Sequence, residues 1–149
     1  MEKMDFAISI NASKEKVWDT LWDDTSYRKW AAAFMEGSYA VTDNWKQGTK
    51  VLFLGPGSSG MVSRVAENRP NEYMAFEHLG EMKDGVEDTS SESAKQWSGA
   101  TENYTLIETT NGTDLKVEMQ GNIPGEFKDY FLNTWPKALD TVKELAEEK

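Results

Sequence analysis

The chain of 149 residues contains no cysteine and only one histidine, His78. The absence of cysteine excludes disulfide bridges and thiolate metal centres, and it is compatible with a reducing compartment. One histidine supplies too few ligands for a zinc site, so neither a metal nor a cofactor is expected. No apolar run approaches the length of a membrane-spanning helix, and the first residues lack the apolar core of a signal peptide. We therefore expect a cytoplasmic protein without membrane insertion.

Positive charge is also scarce. Lysine and arginine total 16, aspartate and glutamate total 26, and the net charge is −10. A negative field repels phosphate backbones, so nucleic acid is not an expected partner. The length suits a single domain covering residues 1–149, and the 38% of hydrophobic residues are enough for one core.

Periodicity predicts the first elements of the fold. Phe6–Ile10 alternates apolar with small or polar residues, which is typical of a strand. Ser13 is a good N-cap for the helix that follows, and Asp23–Ser26 can cap a second short helix. From residue 37 to residue 120, short strand-like segments alternate with turns, which predicts an antiparallel meander of about six strands.

Gly80–Lys95 differs from the rest of this meander. The segment is polar, acidic and serine-rich, and we predict a long, mobile hairpin excursion, followed by a strand over about Trp97–Glu108. The loop carboxylates Glu87, Asp88 and Glu92 lack the spacing of a calcium loop, so they are interpreted as solvated.

The C-terminus carries the clearest helical pattern. Six apolar residues recur at steps of three and four and share one face: Phe127, Phe131, Trp135, Ala138, Val142 and Leu145. Pro136 lies inside the pattern and predicts a kink. The element order β-α-α-β-β-β-β-β-β-α indicates an α+β fold, with a curved antiparallel sheet of about six to seven strands around a long C-terminal helix.

Five local patterns occur along nearly the whole chain, in this order: Ile10-Asn11-Ala12-Ser13 before Val17-Trp18; Trp30; Gly48-Thr49-Lys50-Val51 before Gly60-Met61-Val62 and Pro70; Trp97–Tyr104 with Thr113-Asp114-Leu115; and Trp135-Pro136 with Leu139. Together they resemble the START-like (SRPBCC, helix-grip) superfamily, and within it the heat-shock-chaperone ATPase activator homologues. The resemblance implies a sheet that grips the last helix around an apolar pocket. Relatives bind lipids, hormones or polyketides, some act as cyclases or hydrolases, and some regulate a chaperone. The resemblance supplies no catalytic motif.

Period-two alternation on the strands indicates which side chains point towards the long helix. The candidate ligand-binding residues are Phe53, Met61, Met74, Phe76, His78, Glu102, Tyr104, Leu106, Leu115, Val117 and Met119 from the strands, with Trp30, Phe34, Phe131 and Trp135 from the helices. If side chains do not fill the space between sheet and helix, these residues line a pocket for a small hydrophobic or aromatic molecule. The alternative is an ordinary filled core.

His78 and Glu102 share the parity of inward-pointing neighbours on their strands, so both are expected inside. Such a pair acts as general acid and base, orients a polar group of a ligand, or forms a structural hydrogen bond. No nucleophile or cofactor motif accompanies the pair, so no catalytic residue is assigned. Non-catalytic binding is the leading hypothesis, and a cyclase-like or hydrolase-like enzyme using His78 and Glu102 is an alternative.

Gly55–Gly60 matches the spacing G-x-G-x-x-G, but the next segment is interpreted as a strand rather than the helix that a dinucleotide site requires. We expect this loop and Gly80–Lys95 to gate a pocket. Trp22, Trp45 and Trp97 form a candidate docking patch, which leaves a protein-interaction domain that modulates a chaperone or another partner as the third hypothesis.

Overall fold

The computed structural model of the chain describes residues 2–121 and 125–148. These residues form eight strands and four α-helices, confirming the predicted α+β architecture. In chain order the elements are β1 (Glu2–Ile10), α1 (Lys14–Trp22), α2 (Asp24–Ala31), β2 (Tyr39–Val41), β3 (Lys50–Gly55), β4 (Ser59–Arg69), β5 (Tyr73–Lys83), β6 (Val86–Asp88), α3 (Glu92–Trp97), β7 (Thr101–Glu108), β8 (Thr113–Gly121) and α4 (Gly125–Glu147).

All strand pairs are antiparallel, and the sheet runs in the order β1-β8-β7-β5-β4-β3-β2, with β6 pairing beside the end of β5. The first strand therefore pairs with the last, because Glu2 lies opposite Gly121 and Ile10 opposite Thr113. The long helix α4 contacts β1, α1 and α2. The helices therefore pack against one face of the sheet, and the sheet curves around them.

Two β-bulges interrupt the pairing of β4 with β5. Val62 pairs with Gly80 and Ser63 with His78, so Leu79 has no partner across the ladder. Similarly, Val65 pairs with Phe76 and the next pair begins at Glu67, which leaves Ala66 unpaired. Each bulge bends its strand and increases the local twist, and this bending curves the sheet.

The helix pair α1 and α2 begins as the sequence predicts. The Ser13 hydroxyl oxygen accepts a hydrogen bond from the Lys16 amide at 3.1 Å, which is the N-cap interaction. Asp23 ends α1, and its amide donates to the Asp19 carbonyl at 2.9 Å. The Trp30 indole N–H donates to the buried Leu21 carbonyl at 3.1 Å, which joins the two helices.

The packed core lies between the sheet and the C-terminal half of α4. Leu115 and Val117 of β8 are fully buried there, as are Ala138 and Val142 of α4. The predicted apolar face of α4 is only partly buried. Phe127, near the helix start, keeps 37% of its surface exposed. Pro136 lies inside α4, and a kink at this residue stays a prediction.

The hairpin predicted within Gly80–Lys95 is present, but the segment also contains the start of a short helix that was not predicted. The strand β5 continues to Lys83, turns through Asp84 and Gly85, and returns as β6; α3 then begins at Glu92. Ser91 caps α3 by accepting from the Ala94 amide at 3.1 Å, a local signal that the serine-rich composition concealed. Trp97 ends α3, so the following strand begins at Thr101 and not at Trp97.

Candidate functional site

A cavity of about 290 Å³ lies between the sheet and the N-terminal half of α4. It is the part of the sheet–helix space that side chains do not fill. Its lining is mostly aromatic and aliphatic and comprises Tyr27, Trp30, Ala31, Phe34, Met35, Ser38, Phe53, Leu54, Gly55, Ser59, Gly60, Met61, His78, Trp97, Glu102, Tyr104, Met119, Phe127, Tyr130, Phe131 and Trp135.

Trp135 lies where the cavity meets the packed core. Its ring centroid is 4.8 Å from that of Phe34, with the planes at 75°, and 6.0 Å from that of Tyr104. The indole N–H donates to the Met119 sulfur at 3.0 Å, so the polar edge of the ring is satisfied within the protein. Only 2% of Trp135 is exposed, so the side chain forms a fixed wall.

The mouth of the cavity lies between the end of α2 and the first turns of α4. Met35 is 57% exposed and Tyr130 39% exposed, although both line the cavity. The Tyr130 hydroxyl donates to the Phe34 carbonyl, which links the two sides of the mouth. Phe127 packs on Trp97 of α3 with the ring centroids 5.3 Å apart. Large apolar side chains therefore surround the opening.

The polar end of the cavity is a carboxylate with two neighbouring donors. Glu102 Oε1 lies 3.5 Å from His78 Nε2, and Glu102 Oε2 accepts a hydrogen bond from the Tyr104 hydroxyl. The side chains of His78 and Glu102 are only 7% and 16% exposed. A buried acceptor of this kind needs hydrogen-bond donors, because an unpartnered charge is costly away from water.

The bulge at Leu79 places His78 opposite Ser63, which is fully buried. Ser63 Oγ is 2.6 Å from His78 Nδ1. Because Nε2 faces a carboxylate, the neutral ring is best satisfied with its hydrogen on Nε2, and Nδ1 then accepts from the Ser63 hydroxyl. The His78 backbone is also fixed, since its amide donates to the Ala100 carbonyl at 2.8 Å and its carbonyl accepts from the Gly99 amide at 2.9 Å.

Two tyrosines near Glu102 are held in their neutral form. Burial raises the pKa of Tyr104 well above its usual range, and the charge of Glu102 and the hydrogen bond to it raise this pKa further. Burial also raises the pKa of Tyr27, with a smaller contribution from the Glu102 charge. Both phenols therefore stay protonated at neutral pH, and Tyr104 remains a hydrogen-bond donor.

Ten of the candidate ligand-binding residues lie on the cavity wall: Trp30, Phe34, Phe53, Met61, His78, Glu102, Tyr104, Met119, Phe131 and Trp135. The structure does not bring the other five to the cavity, because they are buried in the packed core: Met74, Phe76, Leu106, Leu115 and Val117. Strand parity identifies the inward face of the sheet. It does not distinguish the part of that face that meets the helix from the part that borders empty space.

Several residues on or behind the cavity wall carried little signal in the sequence. Tyr27 and Met35 belong to the α2 region, whose depth in the fold no local pattern reveals. Ser63 meets His78 only because a bulge shifts the strand register. Such a bulge does not interrupt the alternation of apolar and polar residues in the sequence. Phe127 and Tyr130 follow from the helical pattern of α4 once the helix start is placed next to α3.

The three tryptophans of the proposed docking patch do not share one exposed surface, because Trp22 is buried and Trp45 and Trp97 are half-buried. Trp22 is only 6% exposed, and its ring packs against Trp45 at 5.2 Å, Tyr104 at 4.8 Å and Phe76 at 5.3 Å between centroids. Trp97 contacts the cavity instead. Trp22 and Trp45 contact each other whereas Trp97 packs on Phe127 and Phe131, so the three do not form one docking patch.

The glycine-rich segment connects two strands and does not precede a helix long enough to bind a dinucleotide. After β3, one 3-10 turn over Pro56–Ser58 leads directly into β4, and Gly57 takes a positive φ of 77° in that turn. Gly55, Ser59 and Gly60 line the cavity. No residue of Gly80–Lys95 does so among those that the structure describes, and gating by either segment stays a prediction.

Residues 2–121 and 125–148 contain no group of three or more histidine or acidic side chains arranged to hold a metal ion. Over the same residues, no helix has both the length and the apolar character required to cross a membrane.

An open antiparallel sheet wrapped around a long C-terminal helix, with a cavity between them, is the helix-grip architecture of START-like domains. Residues 11–147 match the family described as Activator of Hsp90 ATPase homolog 1-like protein, and the chain belongs to this family. The resemblance drawn from local sequence patterns is thereby confirmed.

Solved structures share this fold at low sequence identity. The chain is 19% identical to the Aha1 dimer protein of Colwellia psychrerythraea, with a TM-score of 0.74 over 99% of this chain and 97% of that one. Protein CV1439 of Chromobacterium violaceum is 18% identical, with a TM-score of 0.70 over the whole of both chains. DynU16, a protein of the dynemicin biosynthetic locus, is 14% identical, with a TM-score of 0.71 over 99% of this chain and 48% of that one. No curated protein matches.

Proposed function

We propose that this domain binds a small, largely apolar or aromatic molecule in the cavity between the sheet and α4, without transforming it. The observation that carries the proposal is the unfilled space of about 290 Å³ with aromatic walls and a polar end at His78 and Glu102. Small-molecule sites are mostly apolar, contain a few polar groups and have volumes of roughly 300–1,000 Å³. The cavity is near the lower end of that range, which favours a ligand of one or two rings.

Affinity would come mainly from contact with the ring faces and edges of Trp135, Phe34 and Phe131. Burying apolar ligand surface contributes roughly 25 cal/mol per Å², from which the loss of ligand freedom must be subtracted. Because Trp135 and Phe34 already pack together, little of the wall needs to be ordered when the ligand binds. His78 and Glu102 would orient the polar group of the ligand.

The structural neighbour DynU16 comes from a biosynthetic locus. This origin supports the proposal that a domain of this fold binds a small molecule. The protein-family description refers instead to activation of a chaperone ATPase. A cytoplasmic location stays a prediction.

The proposal can be tested by blocking the cavity. Ala31 is 3% exposed and lines the cavity, whereas the next residue, Ala32, is exposed. Ala31→Leu should therefore abolish binding of naphthylethanol, and Ala32→Leu should leave it unchanged. Binding is followed by the fluorescence of Trp30, Trp97 and Trp135, which line the cavity, and by calorimetry.

Met61→Phe reduces the volume of the same cavity from the sheet side. It is used in place of Ala31→Leu if Ala31→Leu melts at a much lower temperature than the unaltered protein. If a panel of lipids and aromatic compounds shows no saturable binding to the unaltered protein, the proposal is wrong. It is also wrong if both blocked variants bind as tightly as the control.

A second candidate is an enzyme that uses His78 and Glu102 as general base and acid. The distance of 3.5 Å between His78 Nε2 and Glu102 Oε1 favours it, since both groups border the cavity. Turnover of a bound compound, detected by mass spectrometry and lost in Glu102→Gln, would support catalysis. Recovery of the unchanged compound from the complex supports binding alone.

A third candidate is modulation of a chaperone, which the family description favours. Met35 and Leu132 expose more than half of their surfaces, so they offer apolar contacts to a protein partner. The test compares the ATPase rate of an Hsp90-type chaperone with and without the domain. Stimulation that Met35→Ser and Leu132→Ser remove would support this role.

A further inference from the structure

We infer that the ligand of this cavity is a hydrophobic amine, whose cationic nitrogen donates hydrogen bonds to Glu102. The inference rests on the proposed binding function and specifies the chemical class that the site selects.

The first step is the direction of the hydrogen bonds at the polar end. The Tyr104 hydroxyl donates to Glu102 Oε2, and His78 Nε2 lies 3.5 Å from Glu102 Oε1. The other ring nitrogen of His78 is engaged by Ser63. With Tyr104 engaged by Glu102 and the hydrogen of the neutral His78 ring assigned to Nε2, beside the carboxylate, the group that the polar end presents to a ligand is the Glu102 acceptor.

The second step is the remaining capacity of this acceptor. An ionised carboxylate has about four lone-pair positions, and among the described residues two side chains, Tyr104 and His78, lie within bonding distance of Glu102. Its side chain is 16% exposed and lines the cavity. A ligand that fills the cavity removes the remaining solvent from Glu102, so it has to supply a hydrogen-bond donor in return.

The third step is the sign of charge that the walls accept. Among the described residues that line the cavity there is no lysine or arginine, so neither of these side chains would compensate an anionic head group beside Glu102. The faces of Trp30, Phe34 and Trp135 are electron-rich, and such faces attract cations. The net charge of −10 also raises the local concentration of cations around the protein. All three effects favour an ammonium group over a neutral or negative one.

The test uses three probes with the same naphthyl body and different head groups: naphthylethylamine, naphthylethanol and naphthylacetate. We expect the unaltered protein to bind the amine at least about tenfold more tightly than the alcohol, because a charge-assisted hydrogen bond is stronger than a neutral one. The acetate should bind most weakly of the three. Calorimetry at neutral pH gives the dissociation constants.

Glu102→Gln removes the charge and keeps the size and an acceptor oxygen for Tyr104. It should reduce the affinity for the amine about tenfold or more and leave the affinity for the alcohol nearly unchanged. Glu108→Gln is the matched control, because Glu108 lies on the same strand, is exposed and does not line the cavity. It removes the same charge and should change neither affinity.

The outcomes separate the inference from the function that it rests on. If the alcohol or the acetate binds as tightly as the amine, the inference is overturned and the binding function stands. The same holds if Glu102→Gln weakens all three probes equally. If none of the three probes binds, the inference is overturned, and the binding function is overturned with it only when the wider panel of lipids and aromatic compounds also fails to bind. A preference for the amine in the unaltered protein decides the question even where Glu102→Gln does not fold.

Discussion

Between Gly125 and Trp135, helix α4 presents large aromatic side chains to the cavity, whereas between Ala138 and Glu147 it presents smaller aliphatic ones to the sheet. Phe127 is exposed and Phe131 half-buried, and the space around them is open. Ala138 and Val142 are fully buried, and the adjoining space is filled. The same helix therefore contributes to a cavity at one end and to a packed core at the other.

The difference lies in how side chains of different size fill the gap between helix and sheet. Small side chains such as Ala138 and Ala146 allow close approach of the helix and leave no void. Rings that meet edge to face, as Phe34 and Trp135 do at 75°, keep neighbouring elements apart. An amphipathic helix can therefore bury one end and leave the other available to a ligand.

The largest expected effect breaks the packed end. Leu139 is 3% exposed, and Leu139→Ala should lower the free energy of unfolding by about 2–5 kcal/mol, because it leaves a cavity in a filled core. Phe131→Ala removes a larger side chain from the open end but should cost less than half as much, since Phe131 already borders unfilled space. Urea denaturation measures both values. Equal costs would contradict the distinction between the two ends.

The next effect concerns the hydrogen bonds of the cavity end. Ser63→Ala leaves His78 Nδ1 buried without its donor, and should lower the free energy of unfolding by about 1–3 kcal/mol. Ser98→Ala, at an exposed position after α3, is the control and should have almost no effect. A loss no greater than that of the control would mean that the contact with Ser63 contributes nothing to stability.

The smallest effect is absent at neutral pH and appears only in alkaline solution. Tyr27 and Tyr104 have raised pKa values in the folded protein, whereas a tyrosine in the unfolded chain titrates near 10.0. Above that pH the unfolded state loses protons that the folded state keeps, so stability is complete below pH 10 and falls as the pH rises.

Ultraviolet absorbance of the phenolate form, followed alongside circular dichroism, measures this effect. Tyr27 and Tyr104 should ionise only when the protein unfolds. In Tyr27→Phe, only one tyrosine should ionise together with unfolding. If all five tyrosines titrate while the protein is still folded, these two side chains are not shielded as the structure indicates.

Much of the fold could be predicted from the sequence, because its signals are local. Ser13 marks a helix start, the alternation of Phe6–Ile10 marks a strand, and the spacing from Phe127 to Leu145 marks the long helix. Within Gly80–Lys95 the hairpin was expected, but helix α3 was not, because the serine-rich composition conceals the Ser91 cap at its start.

The candidate site was predictable to the extent that strand parity determines it. Parity correctly placed His78 and Glu102 on the inward face, and the structure brings them together. It could not separate Tyr104, on the cavity wall, from Leu106, in the core, because the two differ by one step along the same face. Where a cavity ends depends on the packing of distant elements, which no single segment contains.

The pairing of β1 with β8 also affects how the chain reaches this structure. Ile10 meets Thr113 and Glu2 meets Gly121, so the sheet closes only after more than a hundred intervening residues have been brought into place. Contacts this distant in sequence slow folding, because the entropy of closing the loop is lost before the contact is gained. On a ribosome β1 is synthesised long before its partner β8. The apolar face of the sheet stays uncovered until α4 has been synthesised. We therefore expect co-translational folding to finish late, with the ligand cavity among the last features to form.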